Sequence, residues 1–268
     1  MSDQRRNGPK IIAVANQKGG VGKTTTAINI AAALAEMGNN ILIVDIDPQG
    51  NASTGIGIDQ DARSQTTYDL ISGESALKDV IMGSPLKGIS IIPATTDLSS
   101  ADIELYSSDH RVNMLRSVLR DGTLAEQGFD YVLIDCPPSL NLLTINAMVA
   151  ADSVMVPLQS EFFALEGLSQ LMLTIREVRQ SANPNLRIEG VVLTMYDARN
   201  NLSIQVEKDA RENLGDLVFE QVIPRNVRVS ESPSFALPVL DYDPQSKGAI
   251  AYRALARELT RRNTPAAA

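Results

Sequence analysis

Ile11-Ile12-Ala13-Val14-Ala15-Asn16-Gln17-Lys18-Gly19-Gly20-Val21-Gly22-Lys23-Thr24-Thr25 decides the fold. An unbroken apolar run leads into a glycine-rich turn, then a Lys-Thr step, then an alanine- and isoleucine-rich stretch to Met37. Strand, turn and helix in that order make a phosphate-binding loop. Glycines carry no Cβ, so successive backbone N–H groups can converge on one anion. The following helix turns its positive end to the same point. Lys18, Gly19, Gly20, Val21, Gly22, Lys23, Thr24 and Thr25 are therefore the candidate nucleotide-binding set. Lys23 is placed to neutralise β- and γ-phosphates, and the Thr24 hydroxyl to complete a Mg²⁺ shell. The loop departs from the usual spacing. Gln17 stands where a first glycine is expected, and Lys18 adds a second cation at the loop entrance. Taken by itself, Lys18 is equally a solvated surface charge.

The 268 residues suffice for one large domain with a substantial core. Hydrophobic residues make up 44% with no Trp, so the core is mainly aliphatic, as Val/Ile-rich strands between Ala/Leu-rich helices require. One cysteine, Cys136, excludes an intramolecular disulfide and any multi-cysteine metal site, and argues for a reducing compartment. Cys136 reads as buried filling rather than as a nucleophile. The lone His110 cannot form a histidine metal cluster. No apolar run approaches the ~20 residues of a membrane span, and the polar start lacks a signal-peptide core. The expectation is a cytoplasmic protein. A net charge of −8 disfavours a general polyanion binder, so any nucleic-acid contact needs a local basic face.

Apolar strands alternate with helical patterns along the chain. This predicts an α/β fold: one domain, with a mostly parallel twisted sheet and helices on both faces. Strands are expected at Lys10–Ala15, Ile41–Asp45, Ile89–Pro93, Tyr131–Asp135, Ser153–Pro157, Ile188–Thr194 and Val218–Val222. Helices are expected at Thr24–Met37, Ala101–Leu119, Leu142–Ala150, Leu165–Ser181, Ile204–Leu214 and Ser246–Arg262. Residues 1–9 and 264–268 read as tails around a 10–263 domain.

In such sheets ligands bind beyond the carboxyl ends of the strands, so acids there matter most. Asp135 ends an apolar strand and is expected to support Mg²⁺ directly or through water; the alternative is a turn-capping Asp. Asp47 lies two residues beyond Asp45, in a loop with Pro48 and Gly50. It could orient or deprotonate a water attacking the γ-phosphate. Asp45 is the second candidate for that task, and a structural turn role stays open for Asp47. Lys18, Lys23, Asp47 and Asp135 are the catalytic candidates; Thr24, Asp47 and Asp135 are the metal candidates.

The segments 16–26, Asp45-Ile46-Asp47-Pro48-Gln49-Gly50-Asn51 and Asp135-Cys136-Pro137-Pro138-Ser139 resemble the deviant Walker A, switch I and Walker B segments of ParA/Soj-type ATPases, within the MinD/ParA class of P-loop proteins. Further matching segments begin at Glu161, Thr194 and Ile223, so the resemblance covers about residues 10–260. The resemblance implies a weak, partner-stimulated ATPase using ATP and Mg²⁺. It implies a nucleotide-sandwich homodimer in which Lys18 reaches the partner's phosphates, as a cation supplied in trans. It places Pro224 and Asn226 near the adenine. It implies non-specific binding to double-stranded DNA, with Arg199 and Arg228 at DNA-contacting positions and Arg225 beside them. A ParB-like centromere-binding protein would stimulate hydrolysis, with a nucleoid-associated location and chromosome or plasmid segregation as the outcome.

Arg253, Arg257 and Arg261 recur along the last expected helix, either as a second basic face or as a solvated face matching the helix's negative end. Related ATPases position chemoreceptor clusters or carboxysomes with the same motifs. A MinD-like membrane role is the remoter alternative, because the last helix offers two leucines and little area to bury in lipid. A small-molecule P-loop enzyme is the rival of another class. A sequence-specific regulator would need an extra DNA-binding domain before the first strand.

Overall fold

A computed structural model describes residues 8–104, 111–161 and 164–264. Seven strands, β1 (Lys10–Val14), β2 (Ile41–Asp45), β3 (Met82–Gly83), β4 (Ile89–Ile92), β5 (Tyr131–Asp135), β6 (Ser153–Gln159) and β7 (Arg187–Thr194), form one sheet in the order β3-β4-β2-β5-β1-β6-β7. Every pairing is parallel except that of the short edge strand β3 with β4. The central strands are buried along their whole length, which is why they read as unbroken apolar runs.

Alternate side chains feed two separate cores, as the two-residue repeat of a strand requires. Ile11, Ala13, Leu42, Val44, Val132 and Ile134 face helices Leu142–Ala150 and Ala164–Ser181. Ile12, Ile41, Ile43 and Leu133 face helices Lys23–Glu36 and Lys247–Asn263. A helix layer therefore covers each face.

Register fixes the site. Val14 is level with Asp135 on one side of β5, and Asp45 is level with Asp135 on the other. The glycine-rich loop after β1 thus opens at the same edge of the sheet as the two strand-end acids.

Three expectations need correction. Val218–Val222 is not a strand; among the described residues it keeps one isolated bridge, Val191 with Val218, and a second, Tyr196 with Pro224, follows just beyond it. The Glu258 carboxylate takes the N–H groups of Glu220 (2.9 Å) and Gln221 (3.0 Å), and Arg211 and Arg262 take the carbonyls of Phe219, Glu220 and Val218. Backbone bonds to β7 survive at Phe219 N–H to Val191 O (2.9 Å) and, just beyond, Ile223 N–H to Leu193 O (2.8 Å), while side chains take the groups between them. The single helix expected over 101–119 is not continuous. Helices Leu98–Glu104 and Met114–Leu119 are separate, with a turn at 111–113, and His110 lies outside the described residues. Pro9, assigned to the N-terminal tail, is buried; the rest of that tail before residue 8, and residues 265–268, lie outside the described residues.

Candidate functional site

The loop turns on two glycines in the left-handed region, Gly20 (φ 73°) and Gly22 (φ 87°). There an L side chain is strained, so the sequence spends glycines on the turn. Gly22 is the N-cap of helix Lys23–Glu36, and no side chain caps that first turn. Its free N–H groups face the loop, as an anion site requires. The loop is pinned at both ends. Asn16 donates to Pro157 O (2.7 Å) and accepts from Lys18 N–H (3.1 Å), and the Thr194 hydroxyl donates to Val21 O (2.8 Å).

A cleft of about 420 Å³ opens over the loop. Gly20, Gly22, Lys23, Thr24, Thr25 and Asp47 line it. A smaller pocket of about 220 Å³ continues from it, sharing Gly22, Thr25, Met195 and Pro233 and adding Pro224 and Asn226. The two together offer a donor-rich end at the loop and a second end about Pro224 and Asn226.

Lys23 is buried and donates to Lys18 O at 3.2 Å. Burial pushes its ammonium below the ordinary lysine pKa, with Asp135, Cys136 and Asp47 opposing. Asp135 is 0% exposed, and among the described residues neither of its carboxylate oxygens meets a hydrogen-bond partner. Burial, reinforced by Asp45, holds its carboxyl well above the usual range. The neighbouring Thr24 hydroxyl opposes that shift without reaching hydrogen-bond geometry. A fully buried acid with nothing to bind is costly unless a cation completes it. Among the described residues no cluster of three or more His, Cys, Asp or Glu side chains makes a metal cage. Asp135 and Thr24 instead fit an ion that brings most of its ligands with it, as Mg²⁺ does with phosphates and water.

The two switch-loop acids differ in their partners. Asp45 is locked: Ser53 donates to it through both N–H (2.9 Å) and hydroxyl (2.7 Å), and Asp47 N–H adds a third bond (3.2 Å). Burial pushes Asp45 up to about 6 despite these bonds. Among the described residues the Asp47 carboxylate accepts only the Gln49 N–H (3.0 Å), and Asp47 lines the cleft. Geometry thus gives the two acids different surroundings, where the sequence prefers Asp47 only because it lies further out.

Lys18 does not join the others. It is 40% exposed, absent from the cleft lining, and ion-paired with Glu161 at 2.6 Å. Arg199 (90% exposed) forms a two-pronged pair with Asp197 at 3.0 Å, and Arg225 lies exposed beside the same acid. Arg228 pairs with Glu231 (3.0 Å) and Asp243 (3.3 Å). Each DNA candidate is therefore close to an acid of its own chain. In the C-terminal stripe, Arg253 is tied to Glu36 (2.7 Å) and Arg261 to Glu220 (3.2 Å), while Arg257 is exposed.

Three site residues escaped the sequence reading. Ser53, inside the short helix Asn51–Gly55, donates its hydroxyl to Asp45, and Thr194, the last residue of β7, donates its hydroxyl to the distant Val21 O; only the place of Thr194 at a strand end gave a signal. Met195 lines both the cleft and the smaller pocket with φ 51°, a conformation rare outside glycine, and nothing in its type announces that.

A family model described as an AAA domain matches residues 9–188. The chromosome partitioning protein ParA of Caulobacter vibrioides is 57% identical over 253 residues, covering 94% of this chain and 94% of that protein. The sporulation initiation inhibitor protein Soj of Bacillus subtilis is 50% identical over 250 residues, covering 93% and 98%. Among solved structures, cobyrinic acid a,c-diamide synthase from Mycobacterium smegmatis with bound ADP and magnesium superposes with a TM-score of 0.83 at 36% identity, covering 97% of both chains.

Proposed function

Because the chain belongs to the ParA/Soj family of chromosome-partitioning ATPases, we propose that it is an ATP-dependent dimerisation switch that holds DNA as a dimer and lets go on hydrolysis. The loop N–H groups and Lys23 hold the phosphates, Pro224 and Asn226 flank the base, and Thr24 with Asp135 holds the metal. Magnesium, when bound, neutralises charge on the β- and γ-phosphate oxygens. Asp47 orients the attacking water and takes its proton. Lys18 serves the neighbouring subunit's phosphates, so the charge balance closes only when two copies meet face to face.

The observation that carries this is the divergence of the two lysines of one loop. Lys23 is buried in its own cleft, whereas Lys18 stands outside it on Glu161. A cation so placed is available to a second copy. Loss of the γ-phosphate then weakens the dimer, as in other nucleotide switches. Arg199, Arg225 and Arg228 supply phosphate contacts that two copies double, and a ParB-like partner on a centromere-like site accelerates turnover.

The likeness to an amide-forming synthase favours a second reading, amide ligation on the same ATP site. An amidotransferase that draws ammonia from glutamine uses a thiolate. The one cysteine, Cys136, is fully buried, and burial holds its thiol well above the ordinary value. A membrane role is disfavoured because Tyr252, Leu255, Ala256 and Leu259 of helix Lys247–Asn263 are already spent on the core. Among the described residues no helix is long and apolar enough to cross a membrane.

The test is retention on DNA with ATP, ADP and no nucleotide across a salt series. Retention with ATP alone, falling steeply with salt, is expected. Equal retention in all three states would refute the switch, and ATP-dependent binding to liposomes without DNA binding would favour the membrane alternative.

A further inference from the structure

Arg63 stands in the core of the switch loop, 6% exposed. Its five hydrogen bonds all go to neutral oxygens. Nε and Nη2 bind Ile58 O (3.3 and 2.7 Å), Nη2 binds the Thr54 hydroxyl (2.7 Å), and Nη1 binds Ala94 O (3.1 Å) and Gly50 O (3.4 Å). Burial of this cation is only partly offset by the charges of Asp45 and Asp59, neither of which it hydrogen-bonds, and an apolar side chain would fill the space at less desolvation cost. Stability alone is a poor reason for an arginine here.

What the guanidinium holds is the loop that carries Asp47. The Thr54 hydroxyl it binds donates onward to Gly50 O (3.1 Å), and Gly50 N–H donates to Asp47 O (2.8 Å). Asp47, Asn51, Thr54 and Gly55 line the cleft together. Gly50 is packed directly on the fork: its φ is 61°, and a Cβ there would lie 2.4 Å from Nη1. Ala94, the fourth anchor, stands at the start of the loop after β4, and its N–H donates to Ser53 Oγ, which holds Asp45. One planar fork thus ties the Asp47–Gly55 segment to the chain just past β4.

We propose that Arg63 is a positioning residue for γ-phosphate cleavage, fixing the segment that presents Asp47 to the cleft; this rests on the hydrolytic function proposed above. Arg63→Met removes the fork at similar volume, and Arg63→Lys keeps the charge without the fork. Both are compared with wild type and Asp47→Ala in single-turnover hydrolysis and in ATP affinity by calorimetry. Arg63→Met should lower the hydrolysis rate ~10- to 100-fold, the scale of a displaced catalytic group, with ATP affinity unchanged. Arg63→Lys should recover only a minor part of that loss. A wild-type rate in Arg63→Met, or loss of affinity in step with rate, would overturn the proposal. If Arg63→Met does not fold, Thr54→Val removes one acceptor at constant volume; the same rate-only loss is expected, and a wild-type rate overturns the proposal. The Asp47→Ala control separates the levels. If it hydrolyses at the wild-type rate, the catalytic role of Asp47 proposed above fails, and with it the reason to position that segment. If it is inactive while the Arg63 variants are normal, only the role of Arg63 falls.

Discussion

Lys23 and Asp47 face the same cleft with different tasks, and substitution should separate them. Lys23 is the buried charge on the phosphates, so Lys23→Ala should cost about 1.5–3 kcal/mol of ATP binding, the worth of a charge-assisted hydrogen bond. That is roughly a 10- to 150-fold weaker Kd, measurable by calorimetry; an unchanged Kd would place the phosphates elsewhere. Asp47→Ala should bind ATP normally and release phosphate ~10²- to 10⁴-fold more slowly, read in a phosphate-release assay. Asp45→Ala should behave differently, because Asp45 is spent on Ser53 and on the Asp47 N–H. It leaves the Ser53 donors without their acceptor, so lost stability is its first sign.

Helix Lys247–Asn263 lies on helix Lys23–Glu36, and Tyr252 is the fully buried contact, its hydroxyl 3.4 Å from that of Thr26. Burial pushes the Tyr252 phenol up to about 12. Between the unfolded value near 10 and this folded value the native state holds the extra proton, so stability falls as pH rises. The contribution is about 1.4 kcal/mol per pH unit. Denaturant unfolding between pH 9 and 11 should show a shallower loss in Tyr252→Phe than in wild type; equal slopes would remove Tyr252 from the alkaline transition. This helix was legible in the sequence, as were the central strands and the glycine-rich loop. Each is specified by a local pattern: an apolar run, a 3.6-residue repeat, or glycines before Lys-Thr. What was not legible is set by distant partners. Val218–Val222 reads as a strand from Val218, Phe219 and Val222, and the Glu258, Arg211 and Arg262 side chains that take its backbone groups lie far off in the chain. In sequence Asp47 is preferred to Asp45 only for lying further out, whereas the bonds from Ser53 give the two acids different surroundings. Arg63 lies in a segment without periodicity, where an arginine reads as surface.

The whole chain carries a net charge of −8, and the DNA-candidate arginines already lie beside their own acids. DNA phosphates must therefore displace Asp197, Glu231 and Asp243, and retention should depend on two copies acting together. Arg199→Glu combined with Arg228→Glu should abolish retention while leaving ATP-driven dimerisation intact, and single variants should flatten the salt dependence by ~0.9 in log–log slope for each phosphate no longer neutralised. Retention equal to wild type at every salt concentration would move the DNA face elsewhere. Dimerisation itself is the central claim, and Lys18 is its test. Sedimentation of wild type, Asp47→Ala and Lys18→Ala with saturating ATP and Mg²⁺, each against ADP, reads it directly. Single chains with ADP, a persistent dimer of Asp47→Ala with ATP, and a single chain for Lys18→Ala under both nucleotides are the expected masses; one unchanging mass for Asp47→Ala with ATP and with ADP would contradict the account.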